Sequence, residues 1–219
     1  MVTVSCSAVL FDLDGVLIDS TPLVKRLWES WGAEHGVDAG PLLASALGQR
    51  IIDTMIHLVD TGLFSVEGAT EEAAVMETRA EADSDGLVPF PGAGELLGKV
   101  QPGAWAVVTG ETRRLATTRL NICGLPIPEV LVTADDVAMG KPDPESYLAA
   151  SRRLGVDARQ AVVIEDTPTG IEAGRAAGMR VIAVTTTYPE TDLGRADFCI
   201  GGVGDIVARV EEAGTVLTF

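Results

Sequence analysis

The chain has 219 residues, of which 47% are hydrophobic and 22% charged, a composition that supports a sizeable buried core and excludes a disordered chain. Its formal net charge of −16 argues against nucleic acid as a partner, because nucleic-acid phosphates bind to basic surfaces. The sequence shows no signal peptide and no apolar run of about 18 residues. Its three cysteines are too far apart for a metal site. We therefore expect a cytoplasmic protein that binds neither nucleic acid nor a membrane.

An apolar run near the N-terminus ends abruptly in acidic residues. Ala8–Phe11 has the composition of a strand buried in a parallel sheet, and Asp12, Asp14 and Gly15 follow it. Open α/β sheets bind ligands at the carboxyl ends of their strands. Two acids so close together repel each other unless a cation or a proton lies between them. The pattern is typical either of a site with a hard metal, a nucleophile and an acid/base, or of an ordinary Asp-Gly turn.

The next seventy residues have helical periodicity. Pro22 suits the first turn of a helix that Gly36 ends, and three more helices are predicted over 41–47, 50–59 and 67–83. No strand is predicted between Asp19 and Val88. The sequence therefore predicts an all-helical unit, residues 17–87, inserted directly after the first strand.

Residues 89–92 break the helical run, and strands alternate with helices from there on. Strands are predicted over 105–108, 130–132, 161–164, 181–184 and 198–200, and helices over 93–100, 112–123, 145–154, 168–177 and 206–212. This alternation predicts an α/β core, residues 1–16 and 88–219, with a parallel sheet wound on both faces. Arg113, Arg114 and Arg119 are expected on the polar side of the helix over 112–123.

Polar residues follow four strand or loop positions at one predicted edge of this sheet: Asp12, Asp14, Thr109, Lys141, Glu165 and Asp166. Taken singly, each has an ordinary alternative, since a threonine can cap a helix, a lysine can be a surface cation, and acids can supply charge to a helix N-terminus. Together they bring acids, a hydroxyl and a cation to one edge. These are the groups that phosphoryl transfer needs.

Chemistry assigns a role to each group. Asp12 is the expected nucleophile, forming an aspartyl phosphate, and Asp14 protonates the leaving alcohol and later deprotonates the hydrolytic water. The expected ligands of Mg²⁺ are Asp12, Asp166 and the backbone carbonyl of Asp14. Glu165 belongs to the same metal site, where it is expected to orient a metal-bound water.

The phosphate itself needs donors. Thr109 and Lys141 are expected to donate to the phosphoryl oxygens, and Gly110 offers a backbone N–H. The expected ligand is a small phosphorylated metabolite. An acidic protein can bind one where a metal ion and local cations reverse the field.

These residues resemble the four motifs of the haloacid dehalogenase-like hydrolases, in the subfamily whose helical cap follows the first motif. The matching stretches are 11–20, 107–109, 140–142 and 164–170. The resemblance implies a Rossmann-like core, a helical cap over 17–87 and Mg²⁺-dependent phosphatase activity. Asp14 argues against the dehalogenases of this fold, which lack the second acid, and against the phosphonatases, which replace it.

Within the phosphatases, residues 107–120 and 132–137 resemble enzymes acting on sugar and polyol phosphates, such as glycerol-phosphate and 2-deoxyglucose-6-phosphate phosphatases. A small phosphorylated sugar or polyol is therefore the expected substrate. Residues 48–50 with Asp53 and Thr54 resemble the cap loop that contacts substrate, so Arg50 is either a cation facing the site or a surface residue at a helix start. Glu111 departs from the family pattern and is expected to face solvent, because a carboxylate beside a phosphate is repulsive.

Two other functions stay open. β-Phosphoglucomutase resembles the chain in every core motif and uses the same aspartyl-phosphate chemistry, and it differs in how its cap excludes water. A non-catalytic metal- or phosphate-binding module on the same fold is the third possibility. We expect a monomer or weak dimer. The place of Asp14 at the hinge predicts that cap closure brings this acid to the leaving group.

Overall fold

A computed structural model describes residues 1–212 and 214–219, apart from the side chains of residues 44 and 45. Its strands are β1 (Thr3–Cys6), β2 (Ala8–Phe11), β3 (Ile18–Asp19), β4 (Val88–Pro89), β5 (Trp105–Val108), β6 (Val130–Val132), β7 (Ala161–Glu165), β8 (Arg180–Val184), β9 (Phe198–Ile200), β10 (Val207–Glu211) and β11 (Gly214–Thr218). Its α-helices are α1 (Thr21–His35), α2 (Ala39–Ala46), α3 (Ile51–Val59), α4 (Val66–Ala82), α5 (Ala93–Leu97), α6 (Arg113–Ile122), α7 (Glu145–Leu154) and α8 (Pro168–Ala176).

The core is a six-stranded parallel sheet in the order β6-β5-β2-β7-β8-β9. Its central strand β2 is fully buried, as the unbroken apolar run predicts. Helix α6 packs Ala116 and Leu120 on one face of the sheet, and α7 and α8 pack Tyr147 and Ile171 on the other. The predicted Rossmann-like, doubly wound sheet is confirmed.

Helices α1–α4 lie between β3 and β4 and have a hydrophobic core of their own. Trp28, Trp31, Met55 and Met76 are buried in it, and the indole nitrogen Nε1 of Trp31 donates to Glu72 at 3.1 Å. The two chain segments that enter and leave this unit pair as an antiparallel ribbon, β3 with β4. This separate core supports the proposed division into a cap over 17–87 and an α/β core over 1–16 and 88–219.

The predicted C-terminal helix over 206–212 is wrong. Residues 207–211 form β10, which pairs with β11, and β11 pairs in turn with β1. These three strands make a small antiparallel sheet that the sequence patterns did not reveal. Short apolar runs fit a helix or a strand equally well, and the β-branched Val207, Val210 and Val216 favour the strand.

Among the described residues, no helix is both long enough and apolar enough to cross a membrane.

Asp136 anchors the loop that follows β6 and leads to Lys141. The carboxylate of Asp136 accepts hydrogen bonds from Thr133 N at 2.9 Å, from Arg113 Nη2 at 2.7 Å and from Arg153 Nη2 at 2.7 Å. It thereby links the starts of this loop and of α6 to the end of α7. Although partial burial raises the pKa of Asp136, bonds from Arg153 and Thr133 lower it to about 2.

We expect Asp136→Asn to lower the free energy of unfolding by about 1–2 kcal/mol near neutral pH. A depressed carboxyl pKa stabilises the fold above the unfolded-state value, and that contribution is lost as the pH falls toward about 2. Urea denaturation across this range should therefore show the difference between variant and wild type shrinking in acid. Asp157→Asn is the matched control: hydrogen bonds from Arg159 also lower the pKa of Asp157 to about 2, but this pair is exposed, so solvent weakens its contribution to stability. An equal loss in both variants would contradict the role of Asp136.

Candidate active site

The carboxyl ends of the central strands bring the predicted groups together. Asp12 follows β2, Thr109 follows β5, and Asp166 follows β7, and all three are more than nine-tenths buried. They line one cavity between the sheet edge and helices α1 and α4, together with Asp14 and Gly110. The sequence therefore predicted five of the residues that line this cavity.

Lys141 lies against Asp12. Its ammonium donates to Asp12 Oδ1, to Glu165 Oε1 at 2.6 Å and to the carbonyl of Val108 at 3.3 Å. Burial lowers the pKa of Lys141, but the carboxylates of Asp12 and Glu165 raise it well above its ordinary value. Lys141 is therefore a fixed cation beside the candidate nucleophile.

Glu165 is fully buried, and both of its oxygens are occupied by protein donors. Oε1 accepts from Lys141 and from the hydroxyl of Tyr147 at 3.0 Å, and Oε2 accepts from the backbone N–H of Asp166 at 2.8 Å and of Thr167 at 3.0 Å. This arrangement corrects the expected place of Glu165 in the metal site, because neither oxygen is available to a metal or its water. Glu165 instead holds Lys141.

Glycine makes room for this carboxylate. A Cβ at Gly170 would lie 1.7 Å from Glu165 Oε1. The pattern Glu165-Asp166-Thr167 followed by Gly170 was visible in the sequence, but its packing role was not. Tyr147 was missed altogether, because nothing in the sequence places a residue of α7 next to β7.

Asp166 carries an unsatisfied buried oxygen. Its Oδ1 has no hydrogen-bond partner among the described residues. The loop after β2 approaches so closely that a Cβ at Gly15 would lie 1.9 Å from Asp166 Oδ2, and Gly15 has φ 77°. Burial raises the pKa of Asp166 well above its ordinary value, and the charges of Glu165 and Asp12 raise it further.

Asp12 likewise has a raised pKa. Burial raises its pKa to about 8, against the lowering effect of Lys141. Two buried acids with raised pKa values and an orphaned carboxylate oxygen fit a divalent cation, which would favour their ionised forms. No three acidic, histidine or cysteine side chains surround one point in the described part of the chain. The carboxylates of Asp12 and Asp166 fit Mg²⁺, which takes one or two carboxylates and completes its shell with other oxygens.

Arg119 was placed on the polar side of its helix, and this prediction is wrong. Its side chain is only 4% exposed, and its Nη1 contacts Asp14 Oδ1 at 2.5 Å and also Glu111 Oε1. Glu111 was expected to face solvent, but it is largely buried beside Arg119. Both residues line the cavity. Arg119 lies four residues after Leu115 and three after Ala116, on the buried face of α6. The helical spacing itself therefore favours an inward position, away from Arg113 and Arg114.

A model of the haloacid dehalogenase-like hydrolases matches residues 6–178. The chain belongs to the haloacid dehalogenase-like hydrolases. It is 36% identical over 214 residues to hexitol phosphatase A of Escherichia coli (strain K12), an alignment covering 97% of this chain and 98% of that protein. It is 33% identical over 196 residues to glycerol-1-phosphate phosphohydrolase 2 of Saccharomyces cerevisiae, covering 83% of this chain and 76% of that one.

The fold has solved counterparts. A β-phosphoglucomutase from Clostridium difficile superposes with a TM-score of 0.77 at 21% identity, covering 91% of this chain and 92% of that chain. At this identity the likeness speaks for the fold alone. The family and the named relatives confirm the prediction that the protein is a haloacid dehalogenase-like phosphatase.

The loop between α2 and α3 contacts the α/β core closely. A Cβ at Gly48 would lie 2.7 Å from the side chain of Thr167, and one at Gly110 would lie 3.4 Å from Arg50 N. Arg50 spans the two units: its guanidinium pairs with Asp53 Oδ1 at 2.6 Å and donates to the carbonyl of Ala138 at 3.2 Å. All these partners lie away from the cavity lining, so the structure does not place the Arg50 side chain against a substrate.

We expect Mg²⁺ to raise the melting temperature, and to raise it more at about pH 9 than at about pH 5. Raised carboxyl pKa values mean that the metal-free protein loses stability as the pH rises from about 4 toward about 8, because Asp12 and Asp166 must then ionise in a buried site where Lys141 is already shared with Glu165. Protons compete with the cation below that range. Thermal denaturation with Mg²⁺, and with K⁺ at equal ionic strength, measures the effect. Equal increments at both pH values, or no loss of the increment in Asp166→Asn, would contradict this site.

Proposed function

We propose that the protein is a Mg²⁺-dependent phosphatase that hydrolyses the phosphate monoester of a small sugar or polyol through a phosphorylated Asp12. The observation that carries this function is the position of Asp12 at the end of β2, buried against Lys141 and lining one cavity with Asp14 and Asp166. Bound Mg²⁺, held by Asp12, Asp166 and the backbone carbonyl of Asp14, would neutralise charge on the carboxylates and on the phosphoryl oxygens.

In the first half-reaction, a carboxylate oxygen of Asp12 forms a bond to phosphorus while the bond from phosphorus to the substrate's alcohol oxygen breaks. The departing oxygen takes its proton from the carboxyl group of Asp14, so the product leaves as a neutral alcohol. Asp14 is placed for this because it lines the same cavity as Asp12.

In the second half-reaction, water attacks the phosphorus of the aspartyl phosphate. The carboxylate of Asp14 takes a proton from that water, the bond from phosphorus to Asp12 breaks, and inorganic phosphate leaves. Asp12 is again a carboxylate and Asp14 is again protonated.

The phosphoryl oxygens need donors throughout. Lys141 lies against Asp12, outside the cavity lining, and supplies a positive charge, and Gly110 supplies a backbone N–H. Thr109 Oγ1 accepts from Glu111 N at 3.1 Å, which leaves its own hydroxyl proton free to donate. Thr187 also lines the cavity at Asp166 and was not predicted.

The leaving group lies on the cap side of the cavity. That side is lined by apolar residues such as Leu27 and Trp28, with the polar Thr21, Gln49 and Glu77 among them. Apolar walls with a few polar groups suit a small hydroxylated molecule. The names of the relatives, a hexitol phosphatase and a glycerol-1-phosphate phosphohydrolase, support a polyol or sugar phosphate. We further propose a cytoplasmic monomer or weak dimer without nucleic-acid or membrane partners, which the net charge of −16 supports.

Release of inorganic phosphate from a panel of sugar and polyol phosphates tests this function. We expect turnover with Mg²⁺, none with EDTA, and a loss of at least about 10³-fold in Asp12→Asn, because the nucleophile is removed. Asp157→Asn is the control for substitution of an aspartate. Asp157 is partly exposed and precedes the start of β7, at the opposite end of that strand from Asp166.

Three outcomes would contradict the function. Full activity in Asp12→Asn would show that Asp12 is not the nucleophile. Interconversion of phosphate positions without phosphate release would favour the mutase. A wild-type protein that binds Mg²⁺ or phosphate without any turnover would favour the non-catalytic module.

A further inference from the structure

Arg119 is a buried cation at the active site that the chemistry above leaves unused. It projects from α6 and is only 4% exposed. Its Nη1 contacts the carboxylates of Asp14 and Glu111 together. A buried guanidinium is costly unless its charge is paired, so this geometry depends on both acids.

Glu111 is itself held in place. Its backbone N–H donates to Thr109 Oγ1 at 3.1 Å, and its carbonyl accepts from Ala134 N at 2.8 Å. These two bonds fix its backbone on the loop after β5, and its carboxylate contacts Arg119. Arg119 therefore bridges this loop and Asp14.

Asp14 lies beside both members of this pair, and a side-chain hydrogen bond also joins its carboxyl group to that of Glu111. It lies in the turn after β2, with about a quarter of its side chain exposed. In the described part of the chain, Arg119 is the only cation that forms an ion pair with it. A carboxylate in a turn has several rotamers, and one strong charged partner selects among them.

We propose that Arg119 is a positioning residue, which, fixed by Glu111, holds the carboxyl group of Asp14 at the leaving-group side of the cavity. This role rests on the proposed function, because only proton transfer by Asp14 gives its position a kinetic consequence. A planar guanidinium fits the task better than an ammonium, since its nitrogens lie in a rigid fork.

The proposal is tested by the dependence of kcat/KM on the pKa of the leaving group, measured with a series of aryl and alkyl phosphates. This parameter reports the steps up to departure of the alcohol, where Asp14 acts as the acid. A good leaving group needs no proton and a poor one does. In Asp14→Asn we expect a loss of about 10²-fold or more for alkyl phosphates and only a few-fold loss for p-nitrophenyl phosphate.

Arg119→Met should show the same selective loss, and Arg119→Lys should recover part of it, because one ion pair can be retained. The double variant Asp14→Asn/Arg119→Met should be no slower than Asp14→Asn alone, since both changes remove one function. Arg114→Met is the matched control: Arg114 lies on the same helix, pairs with Glu81 and is 79% exposed. It should leave the dependence unchanged.

A uniform loss across all leaving groups in Arg119→Met would overturn the proposal, as would losses that multiply in the double variant. If Arg119→Met does not fold, as circular dichroism would show, Arg119→Lys and Glu111→Gln decide. Both keep a polar partner in the cluster. If the dependence of kcat/KM on leaving-group pKa were the same in both variants as in the wild type, this would likewise overturn the role. A wild-type protein without phosphatase activity would instead refute the proposed function, before any variant is compared.

Discussion

Among the described residues, the ammonium of Lys141 is the one cation that forms an ion pair with Asp12 and Glu165, at the carboxyl ends of two central strands. With Asp166, three carboxylates are buried there, so full ionisation leaves a surplus of two negative charges, the charge of one divalent cation. The parallel sheet makes this crowding possible, because β2 and β7 are neighbours and end at the same edge. The electrostatics of the site thus depend on an interaction between residues 129 positions apart in the sequence.

Much of this was predictable from the sequence, because the relevant signals are local. Apolar runs such as Val162 to Ile164 mark strands, and an acid or hydroxyl after each run marks the edge where ligands bind. The strands β5, β6 and β9 and the helix α7 have the predicted bounds. The resemblance to the family motifs also indicated which strand ends contribute residues to the site, and in what order along the chain.

The parts that were not predictable depend on tertiary contacts. The pairing of Arg119 with Asp14 and Glu111 joins α6 to the turn after β2 and to the loop after β5, and no local pattern encodes that pairing. Glu165 resembles a metal residue because it precedes Asp166, and only its five hydrogen bonds show that it holds Lys141 instead. The last hairpin was misread because five residues are too few to separate a period of 2 from one of 3.6.

The first and last strands of the described chain pair with each other. Thr3 lies opposite Thr218, and the backbone N–H of Val2 donates to the carbonyl of Phe219 at 2.7 Å. The pairing of β1 with β11 closes a loop of nearly the whole chain. Such a loop costs more entropy to close than the loops of the other strand pairs, so we expect the small sheet to form late in folding. It also places the two ends side by side. Joining them by a short linker and opening the chain at an exposed loop should yield a circularly permuted protein with the same central sheet.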